Sequence, residues 1–222
     1  MRFASLARWS ARGAVGLLLA AIMVANPASA GPPKPHGKTL NDWMELWFTW
    51  ALGGDQADYV KNVRLMPLPS GVPDDGSGTA NDPVTFVGEM DVTLKPGTSF
   101  VLPLAGWTKE IYLDGSVDPV LDDSVFTESD LLLKIDGKVV LDSNRHDLSK
   151  FYVPPTEFNA IIYYDEPTPY GSIGTVGFQA LGIVHGPLSV GEHTMTLYSE
   201  IIDPVTNLGF IYKNTWYITI KK

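Results

Sequence analysis

Aromatic side chains and carboxylates stand close together in two stretches of this sequence. The residues are Trp107, Glu110 and Tyr112 in the first stretch, and Tyr163, Tyr164, Asp165, Glu166 and Tyr170 in the second. A sugar-binding surface combines apolar ring faces with hydrogen-bonding groups, because a sugar presents both apolar and hydroxyl-bearing sides. We therefore predict that the aromatic members of both stretches contact a ligand. The alternative is that these rings pack at strand ends beside solvated acids.

The three acids of these stretches, Glu110, Asp165 and Glu166, are also the candidate catalytic residues. Hydrolysis of a glycosidic bond requires two carboxyl groups about 5–9 Å apart. The spacing along the chain does not determine whether Glu110 and Asp165 meet in one cleft. A hydrolase is therefore kept as an alternative to a protein that only binds its ligand.

Four aspartates, Asp114, Asp118, Asp122 and Asp123, lie within ten residues of a turn-rich segment. Calcium takes about six to eight oxygen ligands, and flexible loops supply them in many proteins. This cluster is a candidate calcium site, and a solvated acidic loop without a metal is the alternative. No other cofactor is predicted.

Familiar catalytic motifs are absent from the sequence. It has no G-x-S-x-G elbow, no H-E-x-x-H zinc helix and no P-loop, and its four histidines are scattered. His193 follows Gly191 at the start of a strand, where we expect it to bond to the backbone. No pair of a nucleophile and a base is visible, so a non-enzymatic role is favoured.

Residues 1–30 have the composition of a secretory signal peptide. Three arginines precede an apolar run at residues 14–25, and a small-residue cleavage signal ends at Ala30. The apolar run is too short to span a membrane as a helix. We therefore predict cleavage after Ala30, no membrane insertion afterwards, and a secreted or periplasmic protein.

Removal of that segment makes the chain strongly acidic. Residues 1–30 hold three arginines and no acid, so the remainder carries 13 Lys+Arg against 25 Asp+Glu, a net charge near −12. Phosphate backbones and anionic lipid surfaces attract basic proteins, so neither nucleic acid nor a membrane surface is a predicted partner. With no cysteine there is no disulfide framework, and stability must come from burial of a core.

The one clear helix of the mature sequence begins at Thr39, which is spaced to form a capping box with Asp42. Trp43, Trp47 and Trp50 recur at the spacing of one helical face. We expect this face to close one side of a β-sheet core. The alternative is an exposed aromatic platform that binds a ligand.

From residue 84 onward, short runs rich in β-branched and aromatic residues alternate with Gly/Pro turns. The runs are 84–94, 99–104, 131–135, 139–141, 158–164, 175–184, 194–202 and 210–220. Lys95-Pro96-Gly97 is expected to join the first two in a hairpin, and Asp136-Gly137 to join the third and fourth. Because no helices are interleaved with the strands, we predict a mainly β fold: a single antiparallel β-sandwich, jelly-roll-like, with eight or nine strands and the N-terminal helix packed on it.

The chain divides into three predicted parts. These are the signal peptide at 1–30, a Pro-rich tether at 31–36, and one β-sandwich domain at 37–222 that starts with the helix at 39–52. No internal repeat, second linker or shift of composition indicates a further domain.

Four patches of the chain carry a family resemblance. They are G-K-T-x-x-x-W-x-x-x-W-x-x-W-A-L at Gly37–Leu52, a turn flanked by apolar residues at Leu94–Pro103, I-D-G-x-x-V at Ile135–Val140, and P-L-S-x-G-x-H-T at Pro187–Thr194. In these patches the chain resembles a family of uncharacterised secreted β-sandwich proteins from bacteria and archaea. Many relatives carry cysteines near the middle, which this chain lacks. The resemblance implies a secreted β-sandwich and supplies no reaction.

The favoured function is that of a non-enzymatic secreted protein that binds an extracellular glycan or a protein partner. An extracellular polymer hydrolase with a carboxylate pair is the first alternative. A structural or assembly protein is the second, because open sheet edges pair with other chains. The sequence does not order these classes firmly, and it leaves the oligomeric state open.

Overall fold

The computed structural model describes residues 34–53 and 57–222. The predicted signal peptide and the first three residues of the predicted tether, 31–33, lie outside the described residues. Within them the chain is mainly β, with eleven strands in two sheets and one long helix. None of the described helices is long and apolar enough to cross a membrane.

The strands form a five-stranded and a six-stranded sheet. The five-stranded sheet has the spatial order β1 (Tyr59–Val60), β2 (Val63–Leu65), β5 (Ser99–Tyr112), β9 (Ser172–His185) and β8 (Tyr152–Tyr163). The six-stranded sheet has the order β3 (Val72–Pro73), β4 (Val84–Leu94), β11 (Leu208–Ile220), β10 (Gly191–Asp203), β6 (Leu131–Ile135) and β7 (Lys138–Asp142). Each predicted run overlaps one of these strands. The strands β1, β2 and β3 were not predicted, because two or three residues are too few to show a pattern.

Two pairings are parallel, which corrects the prediction of a purely antiparallel arrangement. β4 runs parallel to β11, and β2 runs parallel to β5, while the remaining pairings of the described strands are antiparallel. The hairpin expected at Lys95-Pro96-Gly97 is wrong, because β4 and β5 lie in different sheets. The hairpin at Asp136-Gly137 is confirmed: β6 and β7 pair, and both turn residues have positive φ.

The two sheets share one hydrophobic core. Its cluster of buried residues includes Phe100 and Leu181 from the five-stranded sheet and Leu133, Leu197 and Trp216 from the six-stranded sheet. A second cluster lies between the five-stranded sheet and the long helix. The five-stranded sheet is therefore packed on both faces along β5 and β9, whereas the outer face of the six-stranded sheet carries exposed residues at alternate positions.

The long helix α1 (Leu40–Gly53) is capped as the sequence predicts. The Thr39 backbone N–H donates to Asp42 Oδ2 (2.6 Å), and the Asp42 N–H donates to Thr39 Oγ1 (3.1 Å). These bonds satisfy N–H groups that the start of a helix leaves without a partner. Hydrogen bonds from the Thr39 side chain and backbone lower the pKa of Asp42 below its ordinary value.

One face of α1 is buried. Trp43, Met44, Trp47 and Phe48 are at most 2% exposed, and the Trp47 indole N–H donates to the Met66 carbonyl. Each buried indole removes a large apolar area from water, about 150–250 Å². The helix is therefore part of the core, as expected, and the alternative of an exposed aromatic platform is wrong.

Three short helical segments complete the described elements. They are the one-turn helix α2 (Ser124–Thr127) and the 3-10 turns Pro35–Gly37 and Leu148–Phe151. The turn at Leu148 starts with the Asp147 carboxylate accepting the Ser149 N–H, a capping bond of the kind that also starts longer helices.

Candidate functional site

The structure places Trp107 in the core and not on a binding surface. Its side chain is 7% exposed and belongs to the cluster between the two sheets. Its indole N–H donates to the Pro119 carbonyl at 3.0 Å. Neither a free ring face nor a free donor is left for a ligand, so the predicted ligand contact at Trp107 is corrected to a core position.

Glu110 and Tyr164, one from each aromatic–acidic stretch, meet inside the protein. Glu110 is 2% exposed, and its Oε1 accepts a hydrogen bond from the Tyr164 hydroxyl at 2.9 Å. Glu110 Oε2 has no partner among the described residues. Burial and then the Glu110 carboxylate raise the pKa of Tyr164, so this hydroxyl is a neutral donor.

Tyr112 lies beside this pair and is bonded to an acid of its own. Its hydroxyl donates to Asp118 Oδ1 and Oδ2, at 3.0 and 3.1 Å. The Glu110 N–H also donates to Asp118 Oδ2 (3.3 Å). The cluster of Glu110, Tyr112, Asp118 and Tyr164 therefore ties the end of β5 to the segments that follow β5 and β8.

The remaining members of the second stretch lie at the surface. Asp165 and Glu166 are exposed, Tyr163 is 64% exposed, and Tyr170 is partly exposed. Glu110 is enclosed while Asp165 and Glu166 face solvent, so the three candidate catalytic acids do not share one environment. Of the five predicted aromatic contacts, only Tyr163 presents most of its ring to solvent.

The four aspartates of the candidate calcium site each have a separate structural partner. Asp114 accepts the Ser116 N–H, Asp122 accepts the Ser124 N–H, and Asp123 accepts the Tyr152 hydroxyl, while Asp118 is bonded to Tyr112. The Ser124 side chain and N–H lower the pKa of Asp122. No group of three acidic or histidine side chains suited to a metal occurs within residues 34–53 and 57–222. A calcium site stays a prediction.

The structure brings together three residues that the sequence analysis did not connect: Ser189, His193 and Asp136. His193 Nδ1 lies 2.8 Å from Asp136 Oδ2, and His193 Nε2 lies 3.3 Å from Ser189 Oγ. These residue types in this order form the catalytic triad of serine hydrolases. The same Nε2, however, lies closer to the Ser189 backbone carbonyl, at 3.0 Å.

The bonding of His193 indicates a structural role. A base must offer an unprotonated nitrogen to the serine hydroxyl, but both ring nitrogens of His193 face acceptors, so the doubly protonated ring makes both bonds. The Asp136 carboxylate also accepts a hydrogen bond from the Thr194 N–H, at Oδ1 and a distance of 3.0 Å. His193 thus fastens the turn between β6 and β7 to the start of β10, in agreement with its expected bond to the backbone.

A groove of about 220 Å³ lies on the outer face of the six-stranded sheet. We call it the outer groove, and its lining includes Val87, Lys134, Thr196, Tyr198, Lys213 and Thr215. These positions come from the four adjacent strands β4, β11, β10 and β6. Thr196 lies opposite both Lys134 and Thr215, and Tyr198 lies opposite Lys213. Side chains at alternate positions of each strand therefore converge on one surface.

Hydroxyl groups on this face are bonded to the neighbouring acids. The bonded pairs are Tyr198–Glu200, Tyr217–Glu89 and Thr219–Glu192. Burial and the Glu200 carboxylate raise the pKa of Tyr198 to about 12, so its hydroxyl is neutral near pH 7. Lys134 and Lys213 form no salt bridge within the part of the chain that the structure describes. Their ammonium groups are the charged donors of the outer groove.

Sequence reasoning did not select the outer groove as a site. The signal in β11 is the alternation of Lys213, Thr215 and Thr219 with apolar residues, which indicates an outward-facing row. The partners of that row lie on strands far away in sequence. Only the strand order brings them together.

No family model and no curated protein matches this chain. The resemblance to secreted β-sandwich proteins that the sequence motifs indicate therefore stays a prediction.

Proposed function

We propose that this protein is a non-enzymatic, secreted or periplasmic binding protein that holds a glycan in the outer groove. The observation that carries the proposal is the lining of the groove. Hydroxyl groups of Thr196, Tyr198 and Thr215 lie on one open sheet surface with the apolar side chain of Val87. Glycans are recognised by such a mixture of hydrogen-bonding groups with apolar and aromatic surface.

A neutral glycan agrees best with the charges of this protein. The net charge near −12 of residues 31–222 repels polyanions at long range. Lys134 and Lys213 supply ammonium donors, each with three N–H groups that can bond to sugar oxygens. Three acids near the groove are already bonded to hydroxyl groups of the protein, so they do not require a cationic ligand.

The proposed architecture, a jelly-roll-like sandwich, leaves the six-stranded sheet as the surface for binding. The proposal is supported by the core that both sheets share and by the position of α1, which packs on the five-stranded sheet. Since α1 covers the outer face of that sheet along β5 and β9, the outer groove lies on the more open of the two outer sheet surfaces.

Hydrolysis and assembly are less well supported than binding. Hydrolysis with Glu110 would require a substrate to reach a carboxylate that is almost fully buried. Assembly through sheet edges is disfavoured at β1 and β3, which have two residues each, and at β8, where Pro154 and Pro155 lack N–H donors. It would have to use the five-residue edge strand β7.

The proposal is tested by screening residues 31–222 against an array of neutral and acidic glycans, followed by calorimetry with the best ligand. We expect the double variant Thr196→Ala, Thr215→Ala and the variant Lys213→Ala to weaken binding by tenfold or more, about 1.4 kcal/mol. Tyr163→Ala and Lys150→Ala change an exposed tyrosine and an exposed lysine outside the groove and should leave affinity unchanged.

Two results would overturn the proposal. One is an array without any glycan that binds. The other is glycan binding that the groove variants do not weaken, which would place the site elsewhere. Capture of a protein that competes at the same residues would replace the glycan with a protein partner.

A further inference from the structure

A row of side chains runs across five neighbouring strands on the outer face of the six-stranded sheet. Its members lie directly opposite each other in the ladders that join β3, β4, β11, β10 and β6, and are, in that order, Val72, Val87, Lys213, Tyr198 and Leu132. Residues that lie opposite each other on neighbouring strands share one face of the sheet. The five side chains therefore form one continuous row, which we call the apolar row.

A second row lies beside the first, two positions away along the strands. Its members also lie opposite each other on neighbouring strands, and are Glu89, Thr215, Thr196 and Lys134. We call it the polar row. Two residues of a strand rise about 6–7 Å, so this distance separates the two rows. The outer groove follows both rows, since four members of the apolar row and three members of the polar row line it.

The apolar row presents aliphatic and aromatic surface to solvent. Val72 is 72% exposed and Val87 is 52% exposed, while Tyr198 and Leu132 are partly exposed. Lys213 adds its aliphatic stem to the row and keeps its ammonium group in water. A ligand that places its own apolar surface along this row would remove all five side chains from water, and burial of apolar surface favours binding.

The polar row presents both donors and acceptors. The Lys134 ammonium group donates at one end, the Glu89 carboxylate accepts at the other end, and the hydroxyl groups of Thr196 and Thr215 between them can do either. A polyanion or a polycation would meet a like charge at one of the two ends. The polar row is therefore suited to a neutral ligand with many hydroxyl groups.

The length of the rows indicates the length of the ligand. Neighbouring strands are about 4.8 Å apart, so the apolar row spans about 19 Å from β3 to β6, and the lining of the outer groove spans about 14 Å from β4 to β6. One sugar unit of an extended chain is about as long as one strand spacing. The rows cross the strands on an open surface, so they suit a chain that stays extended over about four units.

We propose that the outer groove binds an extended, neutral, β-1,4-linked glycan, and that about four of its sugar units lie across the strands. The C–H surfaces of the sugar rings contact the apolar row, and their hydroxyl groups bond to the polar row. Val72 lies beyond the groove lining and provides the contact for the outermost sugar unit. This inference rests on the proposed function, because it specifies the glycan that the same groove holds.

The first test is calorimetry of residues 31–222 with the series from cellobiose to cellohexaose. We expect the affinity to rise by about tenfold or more between cellobiose and cellotetraose, and then to level off because longer chains extend past the rows. The matching malto-oligosaccharides, whose α-1,4 links curve the chain, should bind at least about tenfold more weakly. Equal affinities of the two series, or no gain beyond cellobiose, would overturn the inference.

The outcome of the glycan array separates this inference from the proposed function. If the array finds a glycan that binds in the outer groove but no cello-oligosaccharide binds, the extended β-1,4-linked ligand is wrong and the glycan-binding function stands. If no glycan binds, both are wrong.

The second test uses Val72→Ser, which makes the exposed end of the apolar row polar. We expect the affinity for cellotetraose to fall by about threefold to tenfold, while the affinity for cellotriose, which fits between β4 and β6, should not change. Val205→Ser is the matched control, because Val205 is a 90% exposed valine in the turn between β10 and β11. An unchanged affinity for cellotetraose, or an equal loss for both ligands, would overturn the inference.

Discussion

Asp136 and His193 are 57 positions apart in sequence and bonded in the structure, with Oδ2 of the aspartate 2.8 Å from Nδ1 of the histidine. Asp136 sits in a hairpin turn at φ 49°, and His193 sits in the third position of β10. The bond therefore joins the turn between β6 and β7 to the start of β10, at one end of the six-stranded sheet. Two of the patches that carry the family resemblance, Ile135–Val140 and Pro187–Thr194, meet at this bond.

This bond predicts how stability depends on pH. Burial opposes the charged form of His193, but hydrogen bonds to Asp136 and the Ser189 carbonyl outweigh it and raise the pKa of His193 above 6.5. The stabilisation is therefore complete below pH 6.5 and is lost as pH rises through the folded pKa. Burial also opposes the charged form of Asp136, but bonds from His193 and the Thr194 N–H lower its pKa below 3.8. Its contribution is present above pH 3.8 and is lost as pH falls through the folded pKa.

We expect His193→Ala to lower the melting temperature most between about pH 4 and 6.5, and less at pH 9. The side chain of Asp136 is 44% exposed, so solvent screening limits the effect to about 1 kcal/mol or less, which corresponds to roughly 2–4 °C. Differential scanning calorimetry over this pH range measures it. A difference between His193→Ala and wild type that is constant from pH 4 to 9 would contradict the assignment of the bond as ionic.

A second prediction concerns the buried pair of Glu110 and Tyr164. Tyr164→Phe removes the donor to Glu110 Oε1 and leaves both carboxylate oxygens without a partner, so unfolding in urea should show a loss of about 1.5–3 kcal/mol. Tyr163→Phe, one position earlier and mostly exposed, should be nearly neutral. Glu110→Gln should lower the free energy of unfolding less in the Tyr164→Phe background than in wild type, because the bond between the two side chains is already lost there. Equal effects of Tyr163→Phe and Tyr164→Phe would disprove this interpretation.

The packing of α1 on β9 predicts a clash that can be relieved. A Cβ added at Gly182 would lie 2.3 Å from Met44 Sδ. Gly182→Ala should therefore cost about 1–3 kcal/mol through overpacking. Met44→Ala combined with Gly182→Ala should be less destabilised than the sum of the two single variants, since the smaller side chain makes room. Gly53→Ala, where the added Cβ meets nothing closer than 3.4 Å, is the control, and strict additivity at Met44 and Gly182 would contradict the contact.

The positions of the tryptophans predict the fluorescence of the segment 31–222. Its five tryptophans are Trp43, Trp47, Trp50, Trp107 and Trp216, of which only Trp50 is partly exposed. Emission should be blue-shifted and resist iodide, and Trp50→Phe should remove most of the part that iodide quenches. Red-shifted emission that iodide quenches strongly would mean that α1 does not pack on the sheet.

Local patterns were sufficient for the helix and for the presence of strands. The spacing of Thr39 and Asp42 defines a cap, and the spacing of the tryptophans defines a buried face, since both depend on residues within two turns of helix. The strands of the six-stranded sheet alternate between buried and exposed residues, because one face meets the core and the other meets solvent.

The sheet order and the role of Trp107 could not be obtained in this way. β5 is buried on both faces from Ser99 to Ala105, so its sequence has no alternation that tells which side a ring faces. The parallel pairing of β4 with β11 joins residues more than 120 positions apart, and no local signal marks such a partner. The same limit applies to Glu110 and Tyr164, whose bond spans 54 positions.

Because β11 lies between β4 and β10, the six-stranded sheet cannot be completed before β11 is available. A nascent chain that has not yet released residues 208–220 leaves facing edges of β4 and β10 without partners. Such an intermediate exposes strand edges that pair readily with other chains. We therefore expect the six-stranded sheet to close only after residues 208–220 are available to lie between β4 and β10.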